Sequence, residues 1–249
     1  MKKITVVGIG PGEYEQMTIR AAKALSECDV IVGYTVYIDL VKEHFPGKKF
    51  MTTPMKKEVD RCVMAFEEAM KDQSVAMICS GDAGVYGMSG LILEVGRDYP
   101  EVEVSNVSGV TAAIGGAAVL GAPLIHDFSV ISLSDLLTPW EKIEKRLLCA
   151  AEADMVVVLY NPSSKKRHDY LQKACDLMMQ YKSPETVCGT VQNIGREGET
   201  GTLYTLKELR DTQVDMFTTV FIGNSQTMAI DGKMVTPRGY RLASKKDVE

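Results

Sequence analysis

The sequence predicts an α/β fold made of two domains whose sheets are parallel or mixed. Strand-like apolar runs alternate with helical patterns, and this alternation occurs in two series separated by the small-residue segment Gly121-Ala122-Pro123. Such alternation is typical of sheets that are covered by helices. A chain of 249 residues is long enough for two such domains. We therefore predict an N-terminal domain over residues 1–121, a C-terminal domain over 122–241 and a charged tail over 242–249.

Eight apolar runs are predicted as strands. The first series contains Ile4–Val7, Val30–Val32, Val75–Cys79 and Val102–Val107. The second contains Phe128–Leu133, Met155–Tyr160, Thr186–Val191 and Thr218–Ile222. Two helices are predicted from apolar positions at helical spacing, namely Val59, Val63, Phe66 and Met70, and then Leu171, Ala174, Cys175 and Met178.

Composition limits the classes of function. The formal net charge is -5, which argues against a nucleic acid as the main partner but allows a local basic patch for a small anion. The N-terminal apolar run is too short for a signal peptide, and no stretch reaches the length of a membrane span. The six cysteines form no CxxC pair, so most are predicted as buried apolar residues of a cytoplasmic protein and no metal site is indicated.

The segments that follow the predicted strands are rich in Gly, Ser, Asn and Asp. They read GIGPGE, SGDAGVYG, VSGVTAA, SLSDLLTPW, YNPSS, VQNIGREGE and IGNSQT. Turn chemistry explains part of this composition. Ligands of open α/β sheets bind at the carboxyl ends of the strands, so seven such exits predict two ligand-binding rims that face a shared cleft.

The first exit contains Gly8, Gly10 and Gly12, which suggests a dinucleotide-binding fingerprint. Its third glycine is replaced by Glu13, and Pro11 lacks the N–H that a pyrophosphate would require. No acidic residue follows the second strand to hold a ribose. NAD binding is therefore disfavoured, and either a plain turn or close approach to a non-phosphate ligand remains.

The second and third exits each allow two interpretations. Asp82 within SGDAGVYG caps the following helix, or its loop accepts hydrogen bonds from a cationic amino-acid ligand such as S-adenosylmethionine. Ser108 within VSGVTAA is predicted as the N-cap of a helix, whose small residues serve packing or leave room for a ligand at the helix start.

Taken in order, these segments resemble the tetrapyrrole methylase family over almost the whole chain. The segment Gly121–Leu147, with HDFSVISLSDLLTPW, and the YNPSS motif are the most specific part of the resemblance. They are similar to members that methylate C17 of precorrin-3B or cobalt-factor III in cobalamin biosynthesis. The resemblance implies two α/β domains, S-adenosylmethionine as methyl donor in the cleft between them, an acidic tetrapyrrole as substrate and a homodimer.

The resemblance also implies residues that contact the methyl donor. In the first domain they are Pro11, Gly81, Asp82, Val85, Thr111 and Ala112. In the second domain they are Leu133, Tyr160, Asn161, Asn193 and Thr218.

Further candidates come from residue chemistry. His126 lies within the most specific motif and is a candidate acid or base, because imidazole titrates near neutrality and ring contraction moves protons; a structural role remains the alternative. Lys165, Lys166 and Arg167 are either a solvated turn or a clamp for substrate carboxylates, and Arg196 and Arg238 are loop residues able to make bidentate contacts.

The reaction that the resemblance implies is methyl transfer to C17 coupled to contraction of the macrocycle. The macrocycle itself supplies the electrons, so no protein nucleophile is expected. A dinucleotide oxidoreductase, a tetrapyrrole carrier without chemistry and a methylase acting at another ring position are the alternatives. The sequence leaves open whether the substrate already contains cobalt.

Overall fold

A computed structural model of the chain describes residues 2–164 and 168–240. These residues form two compact units. The first unit contains the described residues up to Gly115 together with Gly195–Glu197, and the second contains the rest. Candidate residues Lys165, Lys166 and Arg167 and the predicted tail 242–249 lie outside the described residues.

The first unit contains a five-stranded sheet in which every neighbouring pair is parallel. The strand order is β3-β2-β4-β1-β5. The strands are β1 (Lys3–Gly8), β2 (Val30–Tyr34), β3 (Lys49–Thr53), β4 (Ser74–Cys79) and β5 (Glu103–Val107).

Helices cover both faces of this sheet, which explains why its central strands are apolar on both sides. The helices are α1 (Ile19–Glu27), α2 (Thr35–Val41), α3 (Glu58–Ala69) and α4 (Ser89–Val95). Ile4 and Val6 of β1 pack with α3 and α4, whereas Val7 packs with α1 and α2 on the opposite face. Short 3₁₀ turns occur at Tyr14–Gln16 and Gly96–Asp98.

The second unit contains a mixed five-stranded sheet of order β10-β9-β11-β8-β7. Only β7 and β8 run parallel, while the other neighbours are antiparallel. The strands are β7 (Phe128–Ser132), β8 (Val156–Tyr160), β9 (Val187–Gln192), β10 (Thr200–Thr205) and β11 (Thr218–Ile222).

The helices of this region are α5 (Ala112–Leu120), α6 (Trp140–Glu152), α7 (Tyr170–Met178) and α8 (Leu206–Arg210). The last three share one hydrophobic core with the sheet. The C-terminal part of α5 lies close to the sheet, because a Cβ added at Gly189 would meet Leu120 Cδ1 at 2.7 Å. A small additional sheet has the order β12-β13-β6 and is formed by β6 (Gly121–Ala122), β12 (Met228–Ile230) and β13 (Lys233–Val235).

The structure confirms the α/β class with parallel and mixed sheets, and each of the eight predicted strands is present to within two residues. The predictions missed β3, β10 and the three short strands. Gly121 and Ala122, predicted as a domain hinge, form β6 and pair with β13. The division of the chain at residue 121 stays a prediction.

One side-chain prediction needs correction. The buried stripe of α3 contains Cys62, Ala65, Phe66 and Ala69, whereas Val59 is 53% exposed. The helix is present, but its buried face is shifted toward small residues, which permit close packing on the sheet. The prediction that most cysteines are buried is confirmed, because five of the six are buried and Cys149 is exposed.

Candidate active site

The carboxyl ends of β1, β4 and β5 bring three loops together at one edge of the first sheet. The loop after β1 and the loop after β4 are joined by two backbone hydrogen bonds between Gly10 and Gly81, with N–O distances of 3.1 and 2.7 Å. A Cβ at Gly8 would lie 2.7 Å from both Gly109 N and Gly81 O. Only glycine therefore allows the three backbones to approach this closely.

The carboxylate of Asp82 joins two of these loops through hydrogen bonds. Oδ1 accepts hydrogen bonds from Gly84 N at 2.7 Å and Val85 N at 3.1 Å, and Oδ2 accepts one from Gly109 N at 2.9 Å. The next helix, α4, begins only at Ser89. Helix capping, one of the two interpretations of Asp82, is therefore wrong; its carboxylate shapes the rim instead.

The start of α5 completes this edge. Its first residue is Ala112, and the carbonyl of Thr111 accepts hydrogen bonds from Ile114 N and Gly115 N. The prediction of Ser108 as N-cap is wrong, because Ser108 lies before the helix and its carbonyl accepts a hydrogen bond from Thr18 Oγ1 at 3.3 Å. A Cβ at Gly81 would lie 3.6 Å from Thr111 Cα, so these two candidate residues are neighbours.

Arg196 belongs to the first unit and binds two of its loops. Its Nε donates to the carbonyl of Pro11 at 3.1 Å, and its Nη2 donates to Ser80 Oγ at 3.2 Å. Burial lowers the pKa of this guanidinium, and the nearby Tyr37 acts in the opposite direction. The structure thus places Pro11, Gly81, Asp82, Val85, Thr111, Ala112 and Arg196 around one edge of the first sheet.

In the second unit, the parallel strands β7 and β8 end side by side. Leu133 N donates to the carbonyl of Tyr160 at 2.9 Å, and Asn161 Nδ2 donates to Ser132 Oγ at 2.9 Å. Asn161 has φ of 53°, the left-handed conformation that asparagine tolerates. Leu133 is fully buried, and its side chain packs in the core of this unit.

Asn193 and Thr218 lie at the same edge of the second sheet. Because β11 is antiparallel to β8 and β9, its first residue Thr218 lies beside Gln192, at the end of β9. Asn193 N donates to Phe217 O at 3.2 Å, and Thr218 Oγ1 donates to Asp215 Oδ1 at 2.8 Å. The strand order thus gathers all five candidates of this unit.

The IGNSQT exit lies at the opposite edge of the second sheet, which corrects the prediction that all seven exits form ligand-binding rims. The antiparallel direction of β11 places its carboxyl end beside the starts of β8 and β9. There Ser225 N donates to Asp154 Oδ1 at 2.9 Å, and Gly223 N donates to Val187 O at 3.0 Å.

His126 also lies at this opposite edge, because it precedes β7. It lines a surface depression together with Asp127, Asp154 and Asn224. Ser132 lies at the other end of β7, and an extended strand from Phe128 to Ser132 spans about 13 Å. The structure therefore separates His126 from the candidate residues of its own unit. Arg238 lies nearby and donates to the carbonyl of Ile125 at 3.3 Å.

Sequence reasoning missed Arg61 and Tyr37. Arg61 belongs to the buried face of α3, where it is only 5% exposed. It occupies a helical position adjacent to Cys62 and one turn before Ala65, so a charged residue within an apolar stripe was the signal that could have revealed it. Tyr37, in α2, and Arg61 both line a cavity beside the ends of β2 and β4.

Comparisons with known proteins agree with this architecture. The family model described as tetrapyrrole (corrin/porphyrin) methylases matches residues 3–210. A probable cobalt-factor III C(17)-methyltransferase of Salmonella typhimurium is 48% identical over 96% of this chain and 100% of its own length. A precorrin-3B C(17)-methyltransferase of Sinorhizobium sp. is 36% identical over 96% of this chain and 98% of its own length.

A solved structure shows the same fold. The crystal structure of the methyltransferase CobJ superposes with a TM-score of 0.87 at 32% identity, covering 94% of this chain and 99% of that one. The match of the family model over most of the sequence, the high identities and this structural similarity lead to one conclusion. The chain belongs to the tetrapyrrole methylase family.

Proposed function

We propose that this protein transfers a methyl group from S-adenosylmethionine to C17 of precorrin-3B or cobalt-factor III, with contraction of the macrocycle, in cobalamin biosynthesis. The observation that carries the proposal is the 48% identity to a probable cobalt-factor III C(17)-methyltransferase over that protein's full length. The 36% identity to a precorrin-3B C(17)-methyltransferase supports the same reaction on the metal-free substrate.

The residues at the edge of the first sheet fit S-adenosylmethionine. Gly84 is exposed and Ala112 is half-buried, and neither has a long side chain that would keep a ligand away from the backbone at this edge. Carbonyl oxygens suit the ammonium and sulfonium of the donor, and Val85, 36% exposed, offers apolar surface to its adenine. Pro11, Gly81, Asp82, Val85, Thr111 and Ala112 are proposed to hold the donor, together with Leu133, Tyr160, Asn161, Asn193 and Thr218 of the second unit.

The bound donor supplies an electrophilic methyl group, and the protein supplies alignment. The methyl group and the ring carbon must lie about 3–3.5 Å apart and in line with the departing sulfur. This alignment alone contributes much of the rate acceleration. The glycine-to-glycine hydrogen bonds and the Asp82 carboxylate make the rim rigid before the ligand binds. This rigidity is what a reaction governed by positioning requires.

Ligand choice at the donor site is testable by calorimetry. S-adenosylhomocysteine should bind the purified protein, whereas NAD should give no heat, because Glu13 stands where the dinucleotide fingerprint has its third glycine. Tight NAD binding would contradict the proposal. Incubation with the donor and either metal-free or cobalt-loaded substrate, with mass analysis of the products, then decides which substrate is used.

We also propose a homodimer, on the basis of the family resemblance. Analytical sedimentation at micromolar concentration should give the mass of two chains, and a clean monomer would contradict it. As for membranes, no helix within residues 2–164 and 168–240 is long and apolar enough to cross a bilayer.

A further inference from the structure

Arg61 is a buried cation that has no charged partner among the described residues. Its guanidinium donates from Nε to Thr53 Oγ1 at 2.9 Å and from Nη2 to the Pro54 carbonyl at 3.3 Å. Nη1 donates to the sulfur of Met88, a weak acceptor, at 3.8 Å. The guanidinium forms no ion pair with any residue in the described part of the chain. Burying a charge is costly unless it is paired, so this arrangement indicates a site prepared for an anion.

The guanidinium lines a cavity at the carboxyl edge of the first sheet. The cavity measures about 200 Å³. Its wall includes the last residues of β2 and β4, the first turn of the loop that carries Gly81 and Asp82, and the phenol of Tyr37. Whole small-molecule sites typically measure about 300–1,000 Å³. This cavity is therefore large enough for one polar arm of a ligand, but too small for a macrocycle.

Two guanidinium groups act at the cavity. Burial raises the pKa of Tyr37, and the positive charges of Arg196 and Arg61 oppose that effect. Arg196 lies beside the cavity, where it donates to Ser80 Oγ. Two carboxylates are also near: Glu58 lines the wall, and Asp82 acts on Cys79 of the wall. Both carboxylates accept backbone hydrogen bonds, whereas Arg61 has no acidic partner among the described residues, which leaves its guanidinium for an anion of the ligand.

We propose that Arg61 is a positioning residue that binds a carboxylate of one of the two reactants in this cavity. The inference rests on the proposed function, because a methyl donor with an amino-acid end and a tetrapyrrole with acetate and propionate arms both carry carboxylates. A guanidinium binds carboxylates through parallel hydrogen bonds. Thr53 and Pro54 hold the guanidinium from one side, so that Nη1 remains available to the ligand.

The test compares Arg61→Gln with the wild-type protein, using three probes. S-adenosylhomocysteine carries the amino-acid carboxylate of the donor, and methylthioadenosine lacks it; both are titrated by calorimetry. Cobalt-factor III is titrated separately through its visible absorbance. Charge-assisted hydrogen bonds are strong enough that we expect affinity for one carboxylate-bearing probe to fall about 10- to 100-fold.

The pattern of losses identifies the source of the carboxylate. A loss for S-adenosylhomocysteine but not for methylthioadenosine supports the proposal and assigns the site to the donor. A loss for cobalt-factor III alone supports it and assigns the site to the macrocycle. Unchanged affinity for all three probes, or an equal loss for all three, overturns the proposal, since the latter would show only that Arg61 maintains the fold.

Two further variants keep the test decisive. Arg61→Lys retains the charge but not the planar fork, so we expect a smaller loss than for Arg61→Gln, and it serves as the test variant if the glutamine form does not fold. Arg97→Gln is the matched control, because Arg97 is exposed on the 3₁₀ turn after α4. Failure of the wild-type protein to methylate either macrocycle would contradict the proposed function, and is a separate outcome from these binding patterns.

Discussion

Asp82 organises the rim of the first sheet, and its removal is the perturbation with the clearest expected size. Its carboxylate accepts three backbone hydrogen bonds, from Gly84, Val85 and Gly109. Asp82→Ala removes all three acceptors at once. A net contribution of about 0.5–1.5 kcal/mol for each bond gives an upper range of about 1.5–4.5 kcal/mol. Two of the three amides are exposed and can bind water instead, so we expect a loss of about 1.5–3 kcal/mol in the free energy of unfolding.

Asp82→Asn separates the contributions of the two oxygens. Asparagine keeps one acceptor for Gly84 and Val85 but presents an amide donor toward Gly109 N–H. We expect an intermediate loss of stability, because one bond of the three is replaced by two opposed donors. The same two loops are proposed to hold the methyl donor, so affinity for S-adenosylhomocysteine should fall in the order wild type, Asp82→Asn, Asp82→Ala.

Urea unfolding followed by circular dichroism, run beside calorimetric titration with S-adenosylhomocysteine, measures both quantities on the same preparations. An Asp82→Ala protein whose unfolding midpoint equals that of the wild type would refute the idea that this carboxylate joins the loops. Loss of stability with fully retained donor affinity would show that the loops are joined as described but do not form the donor site.

Three other predictions follow from the same structure. Gly8→Ala should cost about 1–3 kcal/mol of stability by overpacking, because its Cβ would meet rigid backbone atoms of Gly109 and Gly81; a denaturation curve identical to that of the wild type would contradict the close packing. Burial raises the pKa of Asp154. Hydrogen bonds from Ser225 and the positive charge of Lys182 outweigh this effect, so the pKa lies below its ordinary value of 3.8. The stability that Asp154 contributes is therefore present above pH 3.8 and is lost as the pH falls through the lowered pKa. Asp154→Asn should cost about 0.5–1 kcal/mol at neutral pH, because the Asp154 side chain is 45% exposed and solvent screens its charge. The cost should vanish at a pH below the lowered pKa, and a difference that persists in acid would disprove the charge effect. Finally, His126→Ala should reduce turnover by much less than the factor of about 100 that is typical of a lost acid or base, because His126 lies at the opposite edge of the sheet. Single-turnover kinetics measures the effect. A loss of about 100-fold or more would make His126 a catalytic candidate again.

Much of the fold could be predicted because the central strands are strongly apolar. Every residue of β8 except its last is buried, and such runs are unambiguous. The edge strand β10, TGTLYT, was missed because edge strands bury few side chains and its residues are partly or fully exposed. The direction of the strands could not be predicted either, because no local sequence pattern indicates that β11 runs antiparallel to β8. Because of that direction, the IGNSQT segment lies at the edge of the second sheet opposite to the candidate residues.

The candidate site was predicted from the composition of the strand exits and from the family resemblance, not from geometry. The glycine-rich exits were predicted as turns or as loops that approach a ligand, and the structure shows that their glycines let backbones approach one another at Gly8, Gly81 and Gly109. The partners of Asp82 could not be foreseen, because Gly109 is 27 residues distant in sequence. Arg61 was missed because the pattern of its helix is ordinary. The tertiary packing was needed to show that its guanidinium is buried and has no counter-charge within the part of the chain that the structure describes.

The position of the transferred methyl group tests the central claim most directly. The protein would be incubated with S-adenosylmethionine carrying a ¹³C-labelled methyl group and with either precorrin-3B or cobalt-factor III, and the product would be examined by NMR and mass spectrometry. We predict a single labelled methyl group bonded to C17 of a ring-contracted macrocycle. A label at any other ring carbon, or no transfer to either substrate, would contradict the proposed function.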